Sequence, residues 1–130
     1  MVEIASVVLY AADFEATVAF YRAVGLPLED EDHGDGPVHA AIELGDVHFA
    51  IYPAENASPD SGSAVGHAVP HRAAGSVFPG FYVDSLDAVT QALTGSIVRD
   101  HEQMPWGCRV LVLDPDRRTI EINQREHCPA

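Results

Sequence analysis

The sequence predicts an α+β fold in which one structural unit is written twice. Three observations predict it. A short apolar run, Ile4 to Ala11, leads into apolar residues at helical spacing; the same order returns after Val77; and residues 54–75, rich in Ala, Ser, Gly and Pro, separate the two occurrences. With 130 residues, 47% of them hydrophobic, the chain suits a single domain around one core. The expected organisation is a first module over about 1–53, a linker over about 54–75 and a second module over about 76–125.

Each element has a local reason. Ile4 to Ala11 is nearly continuous in apolar character, as a buried strand is. Asp13 can cap a helix whose inner face carries Phe14, Val18 and Tyr21, with Phe20 and Val24 beside them. Gly25 fits a left-handed helix end, and Pro27 blocks continuation. A weak strand follows over Leu26 to Glu31, and the acidic stretch Glu29 to Asp32, ending near Gly34 and Gly36, reads as a solvated hairpin tip. Val38 to Leu44 and Val47 to Tyr52 read as strands joined by the two-residue turn Gly45-Asp46. In the second module Val77 to Val83 is a strand weakened by Pro79 and Gly80. Asp84 or Ser85 caps a helix bearing Leu86, Val89 and Leu93, which Gly95 closes. Ile97 to Arg99, Cys108 to Leu113 and Thr119 to Asn123 are the last strands, the final pair joined by the turn Asp114-Pro115-Asp116.

Charge and cysteine content restrict the partners. Twenty acidic residues against seven basic ones give a formal charge of −13, which repels phosphate backbones and attracts cations, so nucleic acid is excluded as an expected partner. No apolar run approaches the roughly 20 residues that span a bilayer, and the start of the chain lacks the pattern of a signal peptide. Cys108 and Cys128 form neither a disulfide framework nor a zinc-binding spacing, so Cys108 is expected to be a buried, inert thiol and the chain to be cytoplasmic.

Two segments resemble a known family. Leu9-Tyr10-Ala11-Ala12-Asp13-Phe14 through Phe20-Tyr21, followed by Gly25-Leu26, is similar to the opening of vicinal oxygen chelate proteins, the glyoxalase/bleomycin-resistance/dioxygenase superfamily. Pro105-Trp106-Gly107-Cys108-Arg109, Asp114-Pro115-Asp116 and Ile120-Glu121-Ile122 resemble its closing strands. Arg117 departs from the pattern, standing where the family usually has a turn glycine; a type I turn would accept it. The resemblance implies two βαβββ modules forming a cup-shaped, partly closed mixed sheet around a small ligand. It also implies a homodimer, with the cup formed either within one chain or across two.

In metal-dependent members the resemblance places one ligand on the first and fourth strand of each module. Those positions fall here on Ser6, Ala50, Phe78 and Glu121. Serine, alanine and phenylalanine cannot replace imidazole and carboxylate, and Glu121 alone cannot hold a catalytic ion. The expectation is therefore no metal and no cofactor. Strand alternation adds His48 and Tyr52 to the face of Ala50, Tyr82 to that of Phe78, and Thr119 and Asn123 to that of Glu121. The remaining histidines, His39 and His101 among them, read as surface or turn residues, while His67 and His71 lie in the linker.

A cup so lined favours capture of an organic molecule by burial and stacking. The expected ligand-binding residues are Ser6, Tyr10, His48, Ala50, Tyr52, Phe78, Tyr82, Trp106, Arg109 and Asn123. Glu121 is the candidate anchor for a cation or the catalytic base, and Arg109 its expected counter-charge. The leading expectation is metal-independent sequestration of a small aromatic or cationic molecule, as in resistance proteins of the family. The alternatives are a glyoxalase-like lyase, isomerase or dioxygenase with an atypical metal site, or a metal-free enzyme using Glu121.

Overall fold

A computed structural model describes residues 1–31, 38–54 and 77–129. Residues 32–37, with His33, and the linker beyond residue 54, with His67 and His71, lie outside the described residues. The element order is β1 (Ser6–Ala11), α1 (Phe14–Val24), β2 (Glu29–Glu31), β3 (His39–Leu44), β4 (Val47–Pro53), β5 (Gly80–Tyr82), α2 (Leu86–Ala92), β6 (Ile97–Met104), β7 (Gly107–Leu113) and β8 (Thr119–Gln124), with a 3₁₀ turn at Thr94–Ser96. The two modules form two four-stranded mixed sheets of matching order, β1-β4-β3-β2 and β5-β8-β7-β6. In each, the first strand runs parallel to the fourth and the other pairs are antiparallel. The duplicated βαβββ pattern is therefore present.

Helix α1 forms as its sequence dictates. The Asp13 carboxylate accepts from the Ala16 N–H at 3.0 Å, satisfying one of the free donors of the first turn. Thr17, Val18, Phe20, Tyr21 and Val24 recur at helical spacing and are all buried. In the second helix Ser85 rather than Asp84 is the cap, accepting from Ala88 N at 3.2 Å. That helix stops at Ala92, earlier than the expected closure at Gly95, which sits in the 3₁₀ turn.

Both helices and one face of each sheet share a single core. Leu9, Ala11, Phe49 and Ile51 from the first sheet join Cys108, Val110, Val112, Ile120 and Ile122 from the second. Phe81 bridges the modules, its ring 6.2 Å from that of Tyr21 and 5.7 Å from that of Phe49. The alternate residues of every strand therefore turn to the opposite, outer face.

A polar clamp locks the modules together. The buried Tyr21 hydroxyl donates to Asp114 Oδ2 at 2.7 Å, and Arg118 Nη1 meets the same oxygen at 2.9 Å. Arg118 Nη2 also donates to the Tyr10 carbonyl, and Asp116 accepts from Ala12 N. Burial, then the Asp114 charge, drive the Tyr21 hydroxyl far above the usual tyrosine range, so it remains a donor.

Four expectations change. Glu29–Glu31 is the weak strand expected there, an edge strand paired with His39–Ala41, so these acidic residues lead up to the hairpin tip rather than forming it. β6 runs to Met104 rather than stopping at Arg99, with register shifts along Ile97, Arg99 and Glu102. Arg117 does not sit in the right-handed geometry of a type I turn but at φ 68, so it bears the left-handed conformation that glycine would take freely. Cys108 is not a free thiol: it is bonded to Cys128, tying β7 to the tail beyond β8. The premise of a cytoplasmic address falls with it, since such bridges persist mainly in oxidising surroundings. No helix among the described residues is long and apolar enough to cross a membrane.

Candidate functional site

The outer face of the second sheet is organised around Glu121. Register places Glu121 beside Gly80 on β5 and Leu111 on β7, with Asn123 beside Tyr82 and Arg109 in the next row. Arg109 Nη1 donates to Glu121 Oε2 at 3.1 Å, and Asn123 Nδ2 donates to Glu121 Oε1 at 2.9 Å. Both carboxylate oxygens are thus engaged. Arg109 also meets Glu102 on β6, and that contact is the largest cause holding the Glu102 carboxyl below its ordinary pKa. Gly80 is what admits the Glu121 side chain, since a Cβ there would lie 3.1 Å from Oε1.

The same network reaches an aromatic residue. Trp106 occupies the two-residue turn between β6 and β7, and its indole N–H donates to Asn123 Oδ1 at 2.8 Å. The Asn123 amide orientation follows from its neighbours, because only its oxygen can accept from the indole and only its nitrogen can donate to the carboxylate. Trp106 remains 42% exposed, Phe78 51% and Tyr82 47%. Arg125, which the sequence did not single out, holds its guanidinium 3.8 Å from the centre of the Tyr82 ring. A groove of about 940 Å³ opens beside this strand, lined by Val24, Leu26, Phe81, Tyr82, Asp84 and Arg125 among others. Tyr82 alone of the expected ligand-binding residues lines it.

The tail is fixed close to Trp106. Gln103 Nε2 donates to the Gly107 carbonyl at 3.1 Å, while its oxygen accepts from Cys128 N at 2.8 Å. Gly107 adopts φ +141, and a Cβ there would lie 2.0 Å from the Gln124 carbonyl. Only glycine permits that approach.

The outer face of the first sheet consists of three rows. Ser6, His48 and Glu43 form one; Val8, Ala50 and Ala41 the next; Tyr10, Tyr52, His39 and Glu31 the third. His48 Nδ1 contacts Glu43 Oε1. Tyr10 and Tyr52 have ring centres 6.1 Å apart, and His39 stacks on Tyr52 at 4.3 Å. Burial, then the charge of Glu31, raise the Tyr52 pKa above the ordinary tyrosine value. His39 corrects its expected surface placement: it is 3% exposed, and Nε2 meets Glu31 Oε2 at 3.0 Å. The alternation His39, Ala41, Glu43 opposite His48, Ala50, Tyr52 is the sequence signal that would have placed it.

The expected residues thus fall into two groups, one per sheet. Ser6, Tyr10, His48, Ala50 and Tyr52 share the first outer face; Tyr82, Arg109, Glu121 and Asn123 share the second, with Trp106 at its edge and Phe78 exposed just ahead of β5. The two groups lie on separate four-stranded sheets, and among the described residues no hydrogen bond, ion pair or ring contact joins them.

The donor set does not fit the metal that many members of such a fold carry. Of the four positions that the resemblance implies, three would be Ser6, Ala50 and Phe78, which offer no strong donor, and the fourth, Glu121, is held by Arg109 and Asn123. Among the described residues no three His, Cys, Asp or Glu side chains gather as an ion requires.

Comparison with known proteins agrees with this architecture. The family model of the glyoxalase/bleomycin resistance protein/dioxygenase superfamily matches residues 3–122. The chain belongs to this superfamily. No curated protein matches it. Among solved structures it is similar to a glyoxalase-related enzyme from Fulvimarina pelagi, with 22% identity, a TM-score of 0.70 and coverage of 95% of this chain and 88% of that one. It is similar to lactoylglutathione lyase from Agrobacterium tumefaciens, with 23% identity, a TM-score of 0.66 and coverage of 94% and 92%. An antibiotic-binding protein, TnmS3, from Streptomyces sp. CB03234 shares 18% identity with a TM-score of 0.66, covering 97% and 98%. At these identities the likeness concerns the fold.

Proposed function

We propose that this superfamily member captures a small aromatic molecule carrying a positive charge, without a metal or other cofactor, in a cup completed by a second copy of the chain. The observation that carries the reading is the outer face of the second sheet, where Tyr82 and Trp106 stand 47% and 42% exposed beside a charge network that is already paired, with Phe78, 51% exposed, just ahead of β5. Large aromatics left on one face of a sheet mark a surface that binds something. The guanidinium of Arg125 over Tyr82 supports a planar cation as the guest, as does the charge of −13.

Each side chain then has a task. Trp106, held by Asn123, offers a fixed stacking surface; Tyr82 offers a cation-binding face; Glu121 and Arg109 supply a rigid polar floor. Pairing with a second copy sets the first-sheet face of one chain, with Tyr10, Tyr52 and His48, opposite the second-sheet face of its partner. That arrangement suits two faces that lie on separate sheets. The structurally similar antibiotic-binding protein TnmS3 lends the capture reading further support.

The test is thermal unfolding with cationic, neutral and anionic aromatic compounds. A guest present at a hundred times its Kd stabilises the fold by about 2.7 kcal/mol. Stabilisation by the cationic compounds, abolished by Tyr82→Ala, is expected. Indifference to all three classes contradicts the reading.

A further inference from the structure

We propose that the outer face of the first sheet is also a hydrolytic centre for small aryl esters, with Ser6 as nucleophile, His48 as general base and Glu43 as the residue that positions His48. Register sets the three in one line across β1, β4 and β3: Ser6 is the partner of His48, and His48 the partner of Glu43. Their strand neighbours Val7, Phe49 and Ile42 pack on the core, so Ser6, His48 and Glu43 share the outer face. Adjacent strands lie about 4.8 Å apart, which brings neighbouring side chains within reach.

The chemistry needs a carboxylate on one imidazole nitrogen and a hydroxyl presented to the other. Glu43 Oε1 holds His48 Nδ1, which leaves Nε2 to exchange a proton. Ser6 and His48 make no direct hydrogen bond in this structure; nucleophile–base contacts of this kind are often loose before substrate binds and tighten with it. His48 and Ser6 are open to solvent, the His48 side chain being 37% exposed, so a substrate can reach both. Because His48 N donates to the Ala5 carbonyl, the Ala5 backbone groups face β4 and those of Ser6 face the opposite strand edge. The Ser6 N–H on that edge is the donor for a developing oxyanion.

The neighbouring rows select the substrate. Val8, 40% exposed, is the accessible apolar side chain beside Ser6, the Ala50 and Ala41 of its row being buried, and the Tyr10–Tyr52 pair stands one row further on. An aromatic group lying across Val8 places its ester carbonyl at Ser6. This seat rests on the aromatic capture reading above; the nucleophile does not.

In the reaction Ser6 Oγ bonds to the ester carbonyl carbon while its proton passes to His48 Nε2. The carbon–oxygen bond to the aryl group breaks, and the phenol departs with that proton. Water then attacks the acylated Ser6 with His48 again accepting the proton, the bond to Oγ breaks, Oγ regains the proton, and the carboxylic acid is released.

Diisopropyl fluorophosphate tests the nucleophile without needing the aromatic seat, since Oγ–P bond formation expels fluoride directly. The full chain is expected to acquire one adduct, mapped by peptide mass to Ser6 and lost in Ser6→Ala. His48→Gln slows labelling and p-nitrophenyl acetate hydrolysis by about a hundredfold or more, the usual scale of general-base loss. Glu43→Gln slows both, and Glu43→Asp restores part of the rate, which a purely structural side chain would not do. Melting curves check that each exposed-site variant remains folded. No adduct at Ser6, or labelling at an unchanged rate in folded His48→Gln, overturns the proposal, whatever the outcome of the ligand screen.

Discussion

Breaking the Cys108–Cys128 bridge should cost the fold a predictable amount. The bridge spans 20 residues, and cross-linking a loop of that length removes about 11 cal/mol/K of chain entropy from the unfolded state, or about 3.3 kcal/mol at 25 °C. The bond joins a fully buried β7 position to a half-buried tail residue, so Cys128→Ser is the cleaner perturbation, because it leaves the core volume at Cys108 nearly intact. The tail keeps some hold without the bond through the Cys128 N–H to Gln103 contact, so its loosening should be local. Urea unfolding followed through the lone tryptophan, Trp106, reads the stability of the oxidised chain, the dithiol-reduced chain and Cys128→Ser. The reduced chain and the variant should both fall by about 2–4 kcal/mol and agree with each other. Two titratable thiols in the unreduced native protein, or no change on reduction, would refute the bridge.

Other perturbations probe the junction and the site network. Tyr21→Phe removes a buried hydrogen bond to an ionised carboxylate and should cost about 1.5–3 kcal/mol in the same unfolding measurement; a loss below half a kcal/mol would remove the clamp from the account. Arg117→Gly relieves a left-handed backbone and should gain about 0.5–1 kcal/mol, less than the full relief because glycine also frees the unfolded chain. Glu102 is held below its ordinary carboxyl value of 4.5 chiefly by the Arg109 hydrogen bond. Its contribution is therefore complete above pH 4.5 and fades as pH falls through the lowered folded value, so Glu102→Gln should flatten the acid limb of the stability profile. An unaltered acid limb would show that the pair contributes nothing.

The fold was legible wherever burial imposed a period. The runs at Ser6–Ala11, Val47–Pro53 and Gly107–Leu113 carry core residues on alternate positions, and Asp13 and Gly25 bracket α1 with side chains that suit its two ends. The far half of β6 escaped because Arg99 to Gln103 is polar throughout: an edge strand with little buried surface has no apolar period to read. β2 was legible only as a weak strand with loose bounds, its three residues all being acidic. The Cys108–Cys128 bond was illegible from spacing, since it depends on the tail folding back beside β7 past Gly107. Residue types alone supplied the unsuitability of Ser6, Ala50 and Phe78 as metal ligands. What they could not supply was pairing: the Asn123 link between Glu121 and Trp106, the Arg125 guanidinium over Tyr82 and the burial of His39 all arise from cross-strand register. The division of the expected residues between two separate faces arises from the way both sheets turn their other sides to one core.

Trp106 is the only tryptophan in the chain and belongs to the face assigned to capture, so its emission reports occupancy directly. Titrating the protein with a planar aromatic cation, once in chelator and once with added divalent metal, should give the same saturable change in both, reduced in Tyr82→Ala. Emission that stays flat across the titration, or that responds only when metal is supplied, would contradict metal-independent capture.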